Sequence, residues 1–314
     1  CRGALKKGSH RSPCTTGRST KDGVQTPGTG RSGWAARPIS FQKLPRKIIF
    51  QVHLPRTFTV LLPSAVSRVT ELVINWHFTE ACNYACQFCY AKWDSSKSRR
   101  PREIFHDETQ ARTLLEELHI FFRPGNPTNP LTQLMHWDAV RLSIAGGEPL
   151  LYPRSVLRII EHAAALGFRL SIITNGSRLV PNLVDALAPS LSILGLSIDS
   201  MHQNTALAIG RVDQHGNILS MDQLLLIAAR ARMRNPSLAI KVNTVVNALN
   251  WQEDLRPLMT SIVPDKWKLL RVLDSVNNTL AISSAQFQHF VERNRLPFVT
   301  VEHNTDMQET YLMV

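Results

Sequence analysis

The sequence predicts a parallel α/β fold. Three observations carry that reading: six short apolar, β-branched runs recur along the chain, longer helical segments separate them, and the chemically distinctive motifs fall where those runs end. Near-continuous apolar runs are the pattern of strands covered on both faces. Strand–helix alternation builds a parallel sheet, either an open or partial barrel or a doubly wound one. In either form, function belongs at the carboxyl ends of the strands.

The order of elements begins with a segment that fits none of this. Residues 1–60 hold 12 Lys and Arg against one acid, Asp22, and 7 of the 15 glycines, with no sustained hydrophobic period. Residues 1–66 therefore read as a disordered basic tail. With Cys1 in first place and no initiator Met, the tail is expected to extend upstream of the true start, with Cys1 and Cys14 as loose thiols. The formal charge of +12 belongs almost entirely to this tail. A basic nucleic-acid groove across the rest of the 314 residues is therefore not expected.

Beyond it, strands are predicted at Leu72–Phe78, Val140–Ala145, Arg169–Thr174, Leu191–Ile198, Ala239–Val246 and Lys268–Leu273. Helices are predicted at Glu108–Phe122, Ser155–Leu166, Leu179–Ala188, Asp222–Met233 and Trp251–Ser261. The longest apolar stretch, Ile48–Val66, is broken by Gln51, His53, Pro55, Arg56 and Pro63, well short of the roughly 18–20 residues of a membrane span. No compact apolar core of a secretory signal stands at the N-terminus.

Three of the five cysteines lie within eight residues, Cys82-Asn83-Tyr84-Ala85-Cys86-Gln87-Phe88-Cys89, just after the first predicted strand. Thiolates select zinc, copper(I) or iron–sulfur clusters. Structural zinc wants four ligands, and a fourth here would have to be a histidine such as His77 or His106. Three thiolates can instead hold a four-iron cubane with one iron left open.

The C-x3-C-x2-C spacing, with an aromatic residue before the third cysteine, resembles the radical S-adenosylmethionine (SAM) superfamily. The resemblance implies a partial (β/α)6 parallel barrel over residues 67–280, with residues 281–314 as an extension covering the substrate site. It also implies a [4Fe–4S] cluster on Cys82, Cys86 and Cys89, and SAM bound to the open iron. Ala145-Gly146-Gly147-Glu148-Pro149 ends the second strand. Paired glycines allow a ligand to approach the backbone, and the run looks like the superfamily's GGEP motif, which engages the SAM amino group. Tyr90, Asn175 in Thr174-Asn175-Gly176, Ser197 and Arg211 complete the implied cofactor set, with Arg211 on the methionyl carboxylate.

Several stretches narrow the resemblance to the viperin family. These are Asn75-Trp76-His77-Phe78-Thr79, Ser200 to Arg211, Lys241 to Asn247, Lys266-Trp267-Lys268, and Glu302 to Met307 followed by Tyr311. The family implies radical dehydration of a ribonucleoside triphosphate (CTP, UTP or GTP) to a 3′-deoxy-3′,4′-didehydro nucleotide, an antiviral chain terminator. The family match places Arg141, Lys241, Lys266 and Lys268 on phosphate, and cations suit a polyanion on chemical grounds alone. Arg271 is a weaker candidate. Asn75, Asn243 and Asn304 are assigned to the nucleotide, and Tyr311 is assigned as hydrogen donor. For His77, a satisfied core histidine is the first reading and a substrate contact the second.

A monomeric cytoplasmic enzyme follows, supplied with electrons by a donor such as flavodoxin or ferredoxin and needing neither membrane nor nucleic acid. The chain stops at Val314 soon after the Tyr311 motif, so this member is either short or lacks its end. Two alternatives remain: another single-cluster radical SAM enzyme, or a non-catalytic zinc-stabilised module that binds RNA through its tail.

Overall fold

In the computed structural model the described residues are 67–91, 103–274, 276–303 and 312–314. The tail at 1–66, Asn304 and Tyr311 lie outside them. The elements run β1 (Ser67–Thr79), α1 (Glu108–Phe122), β2 (Met135–Gly146), α2 (Pro153–Ala165), β3 (Arg169–Thr174), α3 (Pro181–Leu187) and β4 (Ile193–Ser197). They continue with α4 (Gln203–Ile209), α5 (Met221–Arg234), β5 (Ala239–Val246), α6 (Arg256–Ile262), β6 (Lys266–Arg271), α7 (Ser284–Arg293), β7 (Val299–Glu302) and β8 (Leu312–Met313).

All strands pair in parallel in the order β7-β6-β5-β4-β3-β2-β1-β8, and the sheet curls as a partial barrel. The six predicted strands are its centre. The two unpredicted strands sit at the edges: β7 has four residues and β8 two, too few to register as hydrophobic runs. Both fall in residues 281–314, so this stretch contributes to the sheet itself. β8 brings the chain end to β1, where Val314 N–H donates to Asn75 O (2.9 Å) and His77 N–H donates to Val314 O (2.8 Å).

Alternation along each strand divides the side chains between two faces. Ile74, Trp76, Phe78, Leu142, Ile144, Ile172, Leu194, Leu196, Val242, Trp267 and Leu269 are buried in one continuous core. Their neighbours Asn75, His77, Arg141, Lys241 and Asn243 are half-buried on the other, inner face. Trp267 is fully buried, and its Nε1–H donates to Thr244 Oγ1 at 2.9 Å.

Helix starts follow local chemistry. Asp107 caps α1 by accepting from Gln110 N–H, and Ser220 and Ser283 form capping boxes with Gln223 and Gln286 at α5 and α7. Proline occupies the first turn of α2, α3 and α6, where its missing N–H costs nothing. That is why α6 starts at Arg256 rather than at the predicted Trp251: Pro257 sets the first turn, and Asn247 and Asn250 hold the preceding residues in turns. Among the described residues no helix is long and apolar enough to cross a membrane.

Candidate active site at the carboxyl rim and inner face

The cysteine loop leaves β1 and is clamped from three sides. From β2, Gly147 N–H donates to Thr79 O and Glu148 N–H donates to Ala81 O (2.7 Å). From the end of α4, Gly210 O accepts from Ala85 N–H (3.1 Å), Ile209 O from Gln87 N–H (3.0 Å) and Ala208 O from Gln87 Nε2–H (2.7 Å). From the turn after β3, Asn175 Nδ2–H donates to Asn83 Oδ1 (3.0 Å), and Asn83 Nδ2–H donates to Ser177 Oγ (2.9 Å).

These clamps revise the reading of the paired glycines. A side chain on Gly147 would collide with the Ala81 carbonyl, and one on Gly146 would stand 2.6 Å from Thr79 O. What approaches the two glycines is the backbone of the cysteine loop itself. Gly210 does the same work from the other side: its φ of +75° suits glycine, and a Cβ there would meet the Ala85 carbonyl.

Cys86 is buried, and Cys82 and Cys89 are half-buried, all as free thiols. Burial pushes the Cys82 and Cys86 thiols up, while the Arg211 guanidinium pulls both down. Arg211 Nη1 stands 3.3 Å from Cys86 Sγ, and the Tyr84 N–H points at Cys82 Sγ (3.4 Å). Donors aimed at sulfur suit thiolates that carry a metal centre. Among the described residues no three His, Cys, Asp or Glu side chains converge on a single ion. A cubane, by contrast, assigns each thiolate to a different iron. The residues fit the cluster.

Glu148 is fully buried. Its Oε1 accepts from Thr174 Oγ1–H (2.7 Å) and Leu150 N–H (3.0 Å), and its Oε2 accepts from Asn175 N–H (2.7 Å). The carboxylate therefore ties the end of β2 to the end of β3. Arg211 is similarly engaged: its Nε is 2.9 Å from Asp199 Oδ2 and its Nη2–H donates to Ser197 O (2.7 Å), with the Tyr84 ring 5.7 Å from the guanidinium carbon. Burial raises the Asp199 carboxyl, and the guanidinium beside it opposes that; Asp199 and Cys86 in turn raise Arg211 further. Arg211 thus bridges Cys86 to the end of β4. Tyr90 is 57% exposed at the outer edge of the loop.

Further down the inner face the predicted cations converge. Lys241 pairs laterally with Lys266, and Asn243 with Lys268. Burial brings Lys241 down to about 8, reinforced by Lys268, Lys266 and Arg141 and opposed by Glu302. Those four cations share one electrostatic field. Two of them carry partners that the sequence reading did not assign: Arg141 lies against Glu71, and Lys268 against Glu302. Neither is therefore an uncommitted phosphate contact. Arg271 leaves the set altogether, because it pairs with Val246 on the core-facing side and donates to Ile282 O and Ser284 Oγ.

His77 lies on the inner face, not among the apolar side chains of its strand. Burial lowers its pKa, against the pull of Glu80 and Glu103, and favours the neutral ring. Asn243 Oδ1 is a buried acceptor with no hydrogen-bond partner among the described residues. Four acids join these groups: Glu71, Asp199, Glu103, which accepts from Thr79 Oγ1–H (2.7 Å) and Glu80 N–H (3.2 Å), and Glu302, which the sequence marks only as the first residue of a viperin-like stretch. A strand-borne acid such as Glu71 was a legible signal; the others depend on tertiary contacts.

Residues 76–234 match the family model of the radical SAM superfamily. An S-adenosylmethionine-dependent nucleotide dehydratase of Pseudoalteromonas ulvae is 38% identical over 251 residues, covering 79% of this chain and 80% of that one. Another protein of the same name, from Psychrobacter lutiphocae, is 36% identical over 249 residues, covering 78% and 80%. Among solved structures, Streptococcus suis SuiB bound to precursor peptide SuiA superposes with a TM-score of 0.51 at 15% identity over 74% of this chain. That match spans about half of SuiB (48%) and speaks to the fold. The superfamily works with a [4Fe–4S] cluster and SAM. The chain belongs to the radical SAM superfamily and, within it, to the S-adenosylmethionine-dependent nucleotide dehydratases.

Proposed function

We propose that this enzyme dehydrates a ribonucleoside triphosphate, CTP, UTP or GTP, to its 3′-deoxy-3′,4′-didehydro analogue, a terminator of viral polymerases. The observation that carries the reading is the gathering of three chemistries on one face of the sheet. Thiols stand at the carboxyl rim, and on the inner face neutral Asn75, His77 and Asn243 share the strands with Arg141, Lys241, Lys266 and Lys268, Asn243 lying beside Lys268 in the ladder. Thiols, neutral polar groups and cations supply what a cofactor, a nucleoside and a polyphosphate each require.

When bound, the cluster and SAM supply a 5′-deoxyadenosyl radical able to abstract hydrogen from the ribose. Cys82, Cys86 and Cys89 would hold the iron. Arg211 and the backbone clamps keep their loop in place, and Glu148 and Asn175 fix the strand ends around it. Gly146, Gly147 and Ser197 present backbone groups at the same rim. Lys241 and Lys266 attract the polyphosphate, and the buried Oδ1 of Asn243, with no partner among the described residues, accepts from a nucleoside hydroxyl or amine. Asn304 and Tyr311 keep their proposed roles on the nucleotide and as hydrogen donor. A one-electron donor such as flavodoxin or ferredoxin completes the cycle for a cytoplasmic monomer.

The test is anaerobic turnover of the cluster-loaded enzyme with SAM, a reductant and CTP, UTP, GTP or ATP offered separately, followed by mass spectrometry. A nucleotide lighter by one water, formed alongside 5′-deoxyadenosine, is the expected result and names the base. Deoxyadenosine with no nucleotide product would move the substrate elsewhere.

A further inference from the structure

The inner face gathers Arg141, Arg169, Lys241, Lys266 and Lys268, together with two carboxylates. Glu71 lies against Arg141 and 3.5 Å from Arg169, whose side chain is 60% exposed. Glu302 is placed differently. It ends β7, pairs laterally with Leu270, and meets Lys268 with both side chains nearly buried, at 11% and 10% exposure. Its charge is felt at Lys241, where it opposes Lys268, Lys266 and Arg141. A seat for a polyanion gains nothing electrostatically from an anion of its own, because every phosphate charge is repelled by it. Burying that anion also costs desolvation, which the Lys268 pairing offsets.

We propose that Glu302 is a specificity-determining residue: by occupying Lys268 in the ligand-free cavity it holds down affinity for polyphosphate as such, so that retaining a nucleotide requires contacts to its nucleoside part. The inference rests on the nucleotide reading above. Asn243, whose buried Oδ1 has no partner among the described residues, and Asn75 are the neutral groups on the same face that those contacts would use. Without Glu302 the five cations would keep one carboxylate partner among the described residues, Glu71, and the cavity would take any polyphosphate.

The experiment is calorimetric titration of the cluster-loaded, SAM-bound enzyme in magnesium-free buffer, with inorganic tripolyphosphate, inorganic phosphate and CTP, UTP or GTP as probes. Glu302→Gln keeps the shape and removes the charge. Tripolyphosphate affinity should rise about tenfold or more, inorganic phosphate much less, since the repulsion removed scales with ligand charge. Tripolyphosphate should then inhibit turnover of the variant at concentrations the wild type tolerates. Glu302→Asp, which restores the charge, should return affinity to near the wild-type value. Glu302→Ala repeats the test if the Gln variant does not load its cluster.

Unchanged or weaker tripolyphosphate binding in the neutral variants would overturn the proposal and make Glu302 a holder of Lys268. An Asp variant that behaves like Gln would overturn it too. If the wild-type enzyme binds no nucleotide and no tripolyphosphate, the nucleotide reading falls and takes this inference with it. If wild type binds nucleotide and Glu302→Gln gains nothing, only this inference falls.

Discussion

At the carboxyl rim the cysteine loop is tied by backbone hydrogen bonds to β2 and α4 and by side chains to β3. On the inner face of β2, β3, β5 and β6, five cations lie with two carboxylates among the described residues, and Lys241 has no carboxylate within ion-pair distance among them. The rim is set by fixed geometry. The cation end is set by charge that the described residues compensate only in part. A cofactor that must be held in one orientation for every turnover calls for the first, and a ligand that enters and leaves calls for the second.

The largest effect tests the rim. Cys86→Ala should abolish both the cluster and turnover, read as iron content and 5′-deoxyadenosine formation. SAM cleavage in that variant would break the assignment of the loop and with it the comparison. Next comes Asp199→Asn. This change leaves the Arg211 guanidinium buried against Cys86 with no counter-charge, a situation that costs about 3–5 kcal/mol. Denaturant unfolding should show the loss, and cluster loading should fall with it. A variant as stable as wild type would mean that Arg211 is compensated by the thiols alone.

How much of this was legible beforehand differs between the two ends. The cysteine triplet, Gly146-Gly147-Glu148 and Asn175 were readable because closely spaced residues with one chemistry need no tertiary information. Their partners were not. Nothing in sequence order brings Gly210 to Ala85, 125 residues earlier, or shows that Glu148 spends its oxygens on Thr174 and Asn175. The central strands were read from apolar runs, whereas β7 and β8 join the sheet through pairing at its edges and carry little pattern of their own. Among the cations, Arg271 was misplaced because alternation within β6 is invisible until the register with β5 is known: Lys268 pairs with Asn243 on the inner face, and three residues on, Arg271 pairs with Val246 on the other.

A moderate effect sharpens the charge side. Lys241→Ala should weaken nucleotide binding roughly 10- to 100-fold, about 1.4–2.8 kcal/mol, while iron content stays at the wild-type level. In the wild type, affinity should be flat below pH 8 and fall above it, as Lys241, brought down to about 8, loses its proton. A slope absent from Lys241→Ala and present in wild type would assign the titration. Equal affinity in the two proteins would place the phosphates elsewhere.

The smallest effect has the opposite sign and separates function from stability in the same side chain. An unfolded lysine titrates near 10.4, whereas folded Lys241 titrates at about 8. Between those values the unfolded state binds more protons, so this group's contribution to stability rises with pH across that window. Below pH 8 the protonated, half-buried ammonium is a cost carried by the ligand-free protein. Lys241→Met, which keeps the stem and removes the charge, should therefore raise the melting temperature of the ligand-free enzyme at pH 7, and the gain should shrink as pH approaches 10. Affinity and stability would then run in opposite directions with pH through one residue. If Lys241→Met destabilises the ligand-free protein at pH 7, the cation end is compensated after all and the contrast between the two ends collapses.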